Sequence, residues 1–251
     1  MYYKAVLLIL FSPVICAIDF SSYEEKTALI LSSGSSLTFE SVPNDTVSDV
    51  EALIDEEMSI YSGDFLNKFV SNIYVVSNLK INGYDYGGSY NSRSIFLYIP
   101  EYLGGFITFT EGSRGIFHHE LASFVFNENF GNKIAWSVLI PRNWESVTYG
   151  VYSQNQWGVK DGFISPYGTT SLGNDFSEYA KIIFTNPVTV IEKSNEYEIV
   201  REKTCLFRTI YTELDPKTEI FFNNNGIDKL CVNMNFDTVR FNFESNTLQF
   251  E

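Results

Sequence analysis

Gly112-Ser113-Arg114-Gly115-Ile116-Phe117-His118-His119-Glu120-Leu121-Ala122-Ser123-Phe124-Val125-Phe126 is the stretch on which the reading of the chain turns. It holds both histidines of the protein, side by side, with a glutamate directly after them. Apolar Ile116, Leu121, Phe124 and Val125 recur at helical spacing, which predicts an amphipathic, largely buried helix. Histidine and glutamate on such a helix must be paired or ligated, because a buried polar group without a partner is costly.

Two histidines one helical turn apart, with a glutamate after the first, put two imidazoles on one face for zinc and a carboxylate beside the metal's water. His119 and Glu120 supply the first half of this H-E-x-x-H pattern, and Ser123 stands at the second histidine position. A hydroxyl is a poor zinc ligand beside imidazole, carboxylate and thiolate. No third histidine exists in the chain to replace it. His118 does not simply substitute, because neighbouring helix residues point about 100° apart.

The 251 residues suffice for one large domain, and no linker or fixed-period repeat divides them, so residues 18–251 are read as one unit. Apolar content of 45%, with 22 Phe and 16 Tyr, can build bulky core layers and an aromatic-lined cleft. A net charge of −14 argues against nucleic-acid binding, which needs a positive surface. Residues 1–17 read as a secretory signal: Lys4, an apolar run at 5–15, and a small-residue cleavage site ending at Ala17. That run is shorter than the roughly 20 residues of a spanning helix, so no stable membrane span is expected. Export to a periplasmic or extracellular compartment leaves Cys205 and Cys231, which are expected to form a disulfide; two buried thiols are the alternative. Asn44-Asp45-Thr46 is an isolated glycosylation sequon.

Along the chain, short strands are expected within 27–31 and 36–39. A helix is expected at 44–61, capped by Asp45 or Thr46, with Asp49, Glu51, Asp55, Glu56 and Glu57 as its solvated face. A helical turn at 64–70 precedes strands at 71–76 and 94–99, with a hairpin or irregular loop between them at 78–91. Residues 106–110 read as a further strand. Residues 131–152 and 158–168 read as loop. Helices follow at about 174–184, ended by Pro187, and at 197–214; the tail after Pro216 reads as extended, with a turn at 223–226. The whole is an α+β chain with a small sheet and a buried central helix.

Phe117-His118-His119-Glu120 on a helix is followed by tryptophans, then Gly162-Phe163-Ile164-Ser165-Pro166-Tyr167-Gly168, then Asp175-Phe176-Ser177-Glu178-Tyr179. This ordered set resembles exported zinc metallopeptidases of the gluzincin type, with a layout similar to the catalytic domain of anthrax lethal factor. The resemblance covers residues 73–184. It implies a zincin-like metallopeptidase domain in which the central helix is the active-site helix. It further implies zinc as cofactor, with His119 and Glu178 as ligands and His118 as the doubled histidine beside them. Glu120 would be the general base, Tyr167 the oxyanion donor, and a peptide or protein the substrate. The departure is Ser123. It leaves two outcomes open: a peptidase with an incomplete ligand set, or a catalytically silent relative whose cleft binds a protein or peptide. In the second, His119 and Glu178 are a hydrogen-bonded pair that echoes a lost site.

Overall fold

The computed structural model describes residues 18–22, 29–30, 34–99, 111–128, 130–147, 156–232, 234, 240–242 and 247–249. The leader at 1–17 and the strand expected at 106–110 lie outside them. Strands β1 (Asp19–Ser22), β2 (Leu29–Ile30) and β3 (Ser36–Ser41) are followed by helices α1 (Asn44–Met58) and α2 (Gly63–Phe69). The long β4 (Asn72–Ile81) comes next, then β5 (Tyr84–Asp85), β6 (Gly88–Asn91) and β7 (Ser94–Tyr98). These seven strands form one sheet, with the path β2-β3-β4-β7-β6 and with β1 and β5 also paired to β4. β1 and β7 run parallel to β4; β3 and β5 run antiparallel to it, as β6 does to β7.

Two-residue alternation gives the sheet two apolar faces. Ile73, Val75, Ile95 and Leu97 enter the main core, while Val76, Leu79 and Phe96 turn to a smaller cluster with Leu37 and Phe39. β4 runs on past Val76 into the segment expected to be loop. It ends at Asn82-Gly83, both with positive φ (50° and 84°), the two-residue turn that joins antiparallel strands.

The helical half is α3 (Glu111–Glu128), α4 (Phe130–Val138), α5 (Leu172–Thr185), α6 (Pro187–Glu196), α7 (Glu198–Leu214), α8 (Thr218–Asn224) and α9 (Ile227–Cys231). Two 3₁₀ turns, Val159–Asp161 and Tyr167–Thr170, lie between α4 and α5. α3 is sandwiched: one side meets β6 and β7, the other lies along α5. That explains why Phe117, Leu121, Ala122 and Val125 are fully buried although the helix is not sharply two-sided.

Several expectations are corrected. α1 has Pro43 at its N-cap, and Asp45, already inside the first turn, accepts from the Thr46 N–H at 2.8 Å. Glu57 is not on a solvated face; it is buried and paired. Helix α4 stands where loop was expected. Its Trp136 packs edge-on against Phe176 and Tyr179, contacts that are not visible in local sequence. Pro187 opens α6 rather than merely following α5, with the Asn186 side chain accepting from Thr189 N–H. α5 starts at Leu172, where the Ser171 side chain accepts from Asn174 N–H. The tail from Thr218 to Cys231 forms α8 and α9, joined through Gly226 (φ 79°); among the described residues beyond it, Arg240–Asn242 and Thr247–Gln249, which pair antiparallel, are extended as expected. Cys231 of α9 is disulfide-bonded to Cys205 of α7, with Cα atoms 5.5 Å apart.

Candidate functional site

His118 and His119 leave α3 in different directions and enter different environments. His118 is fully buried between Tyr61, Phe117 and Phe184. Its Nε2 lies 2.7 Å from Glu57 Oε2, and its Nδ1 lies 2.7 Å from Tyr61 OH. Burial pushes the Glu57 carboxyl up, but His118 and Arg114 outweigh it and hold the group below its ordinary value. A carboxylate can only accept, so Nε2–H donates to Glu57 and the Tyr61 hydroxyl donates to Nδ1. Burial pushes His118 down, which keeps it in this neutral form. Both ring nitrogens are thus used within the core, and the structure does not bring His118 together with the other candidate ligands.

His119 faces a cleft of about 240 Å³ lined by Tyr86, Gly87, Gly88, Ile116, His119, Glu120, Tyr167, Glu178 and Lys181. Four of the five sequence candidates therefore meet here. Its Nδ1 lies 2.9 Å from Glu178 Oε1 on α5, and Lys181, one turn further on, lies 3.5 Å from the same oxygen. The Tyr167 ring lies 5.7 Å from the imidazole, centroid to centroid. Burial pushes the Glu178 carboxyl up; the His119 hydrogen bond, the Lys181 charge and a bond from Ser165 overcome it and hold the group at about 2. Glu178 is therefore an acceptor, and Nδ1–H of His119 donates to it.

Glu120 is 7% exposed, and no hydrogen bond from a described residue reaches its carboxylate. Burial pushes its carboxyl up, His119 draws it down and Glu178 pushes it up again, with the result about 7. β6 approaches this carboxylate so closely that a Cβ on Gly88 would lie 2.4 Å from Ile116 and 2.9 Å from Glu120 Oε1. Glycine is required at position 88 by this approach.

Ser123 does not point an available donor into the cleft. Its hydroxyl lies 2.9 Å from the Ser177 hydroxyl on α5 and 3.2 Å from the His119 carbonyl, one turn back. Among the described residues, no three His, Cys, Asp or Glu side chains come together to hold a metal. A resident zinc takes at least three protein donors, and here one imidazole and one carboxylate converge, already bonded to each other. Among the described residues there is no complete zinc ligand set.

Behind the cleft lies a group that sequence reasoning missed. Lys203 of α7 is fully buried; its ammonium lies 2.6 Å from Asp175 Oδ2 and 2.9 Å from the Gly162 carbonyl. Trp136 Nε1–H also donates to Asp175, at 2.8 Å, and Tyr179 OH donates to the Gly162 carbonyl, at 3.0 Å. Gly162 takes φ 87°, which suits glycine, and its fixed carbonyl anchors the loop that leads to Tyr167. The available signal was a lysine set within the apolar run Val200, Phe207, Ile210 of α7. Arg114 and Glu57 around His118 carried no such signal.

No family model matches the chain, and no curated protein matches it. Among solved structures it is similar to the crystal structure of a putative zinc-binding metallo-peptidase from Bacteroides caccae ATCC 43185. The TM-score is 0.51 and the identity 14%, over 85% of this chain and 88% of that one. The likeness is one of architecture: this chain has a mixed α+β, metallopeptidase-like fold.

Proposed function

We propose that this protein is an exported, catalytically silent relative of zinc metallopeptidases whose cleft binds a peptide or a peptide segment of a protein. The observation that carries this reading is the Ser123–Ser177 hydrogen bond. It occupies the turn of α3 from which a second histidine would reach the cleft. With His119 also tied directly to Glu178, the helix pair is closed by its own hydrogen bonds. β6, the last strand on the sheet path among the described residues, leads to this cleft through Gly87 and Gly88. An edge strand carries backbone donors and acceptors that an extended peptide can pair with. Export is supported by the leader-like first 17 residues and the disulfide, since disulfides persist in oxidising compartments. Among the described residues no helix is long and apolar enough to cross a membrane.

The retained Glu120 favours a second reading, a zinc peptidase with weak metal affinity, and the experiment separates the two. Untagged protein is titrated with zinc against a competing chelator, at a pH where imidazole is free to ligate. The silent reading expects no tight one-to-one zinc, and no chelator-sensitive cleavage of a peptide mixture that the protein nonetheless retains. The variant Ser123→His, paired with Ser177→Ala to make room, is expected to gain zinc affinity, and Glu178→Ala is expected to abolish that gain. Tight stoichiometric zinc on the unmodified chain, together with cleavage abolished by chelator, overturns the silent reading.

A further inference from the structure

Glu120 is a cleft carboxylate to which no described residue gives a hydrogen bond. It is buried except for the cleft opening. Burying a carboxylate without a donor is costly, and a ligand that supplies a donor recovers that cost. The cleft's own donors are turned to Glu178: the Lys181 ammonium lies on it, and so does the His119 N–H. The cleft therefore holds two carboxylates with one lysine between them. The strand side offers Gly88, with no side chain to answer Glu120. Tyr86 and Tyr167 add aromatic surface to the lining, a favourable neighbour for an organic cation. A space of about 240 Å³ admits a side chain or a chain end rather than a folded domain.

Resting on the peptide-binding reading, we infer that the cleft recognises a cationic group of its peptide, a lysine or arginine side chain or a free N-terminus, and seats it on Glu120. An ammonium or guanidinium brings both positive charge and N–H donors to the carboxylate, a stronger contact than a neutral hydrogen bond. Glu178 helps to hold the field negative while its own hydrogen bonds stay in place.

The test presents the full chain, disulfide intact and chelator present, with short random peptides in three forms. One has a free N-terminus and no Lys or Arg; one is N-acetylated and contains Lys or Arg; one is N-acetylated and contains neither. Retained peptides are sequenced and their affinities measured by calorimetry at moderate salt. At least one cationic form is expected to bind about tenfold or more tighter than the third form, and which form does so identifies the source of the cation. Glu120→Gln is expected to erase the preference, so that the cationic forms bind no tighter than the third. Lys181→Met, which removes the competing cation, is expected to widen it, and this second variant keeps the test decisive if Glu120→Gln does not fold. Peptides retained without charge preference, or a preference that survives Glu120→Gln, overturn the inference and leave the peptide-binding reading standing. No retention of any form overturns both.

Discussion

Glu120 and Glu178 face one cleft and titrate in opposite directions, and the difference follows from their donors. Glu178 receives the His119 N–H and has the Lys181 ammonium beside it; Glu120 feels both only through space, without a hydrogen bond from either. Glu120 rises from an ordinary 4.5 to about 7, chiefly through burial. A carboxyl raised in the folded state keeps its proton longer when folded than when unfolded. Its destabilising effect is absent below about pH 4.5, grows between about 4.5 and 7, and is full above that. A rise of this size corresponds to on the order of 3 kcal/mol. Glu120→Gln, in the presence of chelator and without peptide, is therefore expected to be near neutral in stability at pH 4 and stabilising at pH 8. Urea unfolding at the two pH values measures the difference. An effect of the substitution that is the same at both would show that Glu120 is not raised. Glu178 has the opposite sign: the stability it contributes is full above about 4.5 and is lost as pH falls toward 2.

At the scale of elements, α3 and α5 carry the site, and α7 supports them from behind. The Lys203–Asp175 pair is the contact through which that support acts, because the same ammonium also holds the Gly162 carbonyl ahead of Tyr167. Burial pushes Asp175 up and Lys203 down, and each partner's charge opposes this, so the two ionised groups depend on each other. Lys203→Met alone leaves a buried acid with only the Trp136 donor and is expected to cost about 3–5 kcal/mol. Adding Asp175→Asn should recover part of that loss, so a double-mutant cycle by chemical denaturation should show strong coupling. Additive effects would mean that the pair acts as two independent residues. The elements legible in sequence were those whose spacing is long and regular, such as α3, α5 and α7. α8 and α9 were not, because each is too short to show a period and each is held by tertiary contacts rather than propensity. α6 was hidden by Pro187, which marks a helix start as readily as a stop. Within the site, His119, Glu120, Tyr167 and Glu178 were legible because their residue types and order carry chemistry. Ser177 and Lys181 were not, because their roles come only from the packing of α5 on α3. Glu57 looked like one more acid on a charged helix, and only the fold brings Arg114 and His118 to it.

At the scale of the molecule, the sheet and the helical half meet across α3, and the cleft lies along that junction on the β6 side. The disulfide lies elsewhere: it joins α7 to α9, neither of which contributes a residue to the cleft lining. Its cysteines are 26 residues apart in sequence. In the chain-entropy model, closing a loop of that length restrains the unfolded chain by about 3 kcal/mol. For a chain of this size that corresponds to roughly 6–12 °C in melting temperature. Replacing both cysteines by serine should lower the melting temperature by about that amount, and thermal unfolding followed by circular dichroism measures it. Peptide affinity, measured well below the transition, should remain within about twofold of the unmodified protein, since α3, α5 and β6 keep their mutual packing. The two readings together distinguish a staple from a part of the site. A fall in affinity without a fall in melting temperature would place α9 in communication with the cleft. A fall in melting temperature alone is the result expected of a staple whose effect is on the unfolded chain.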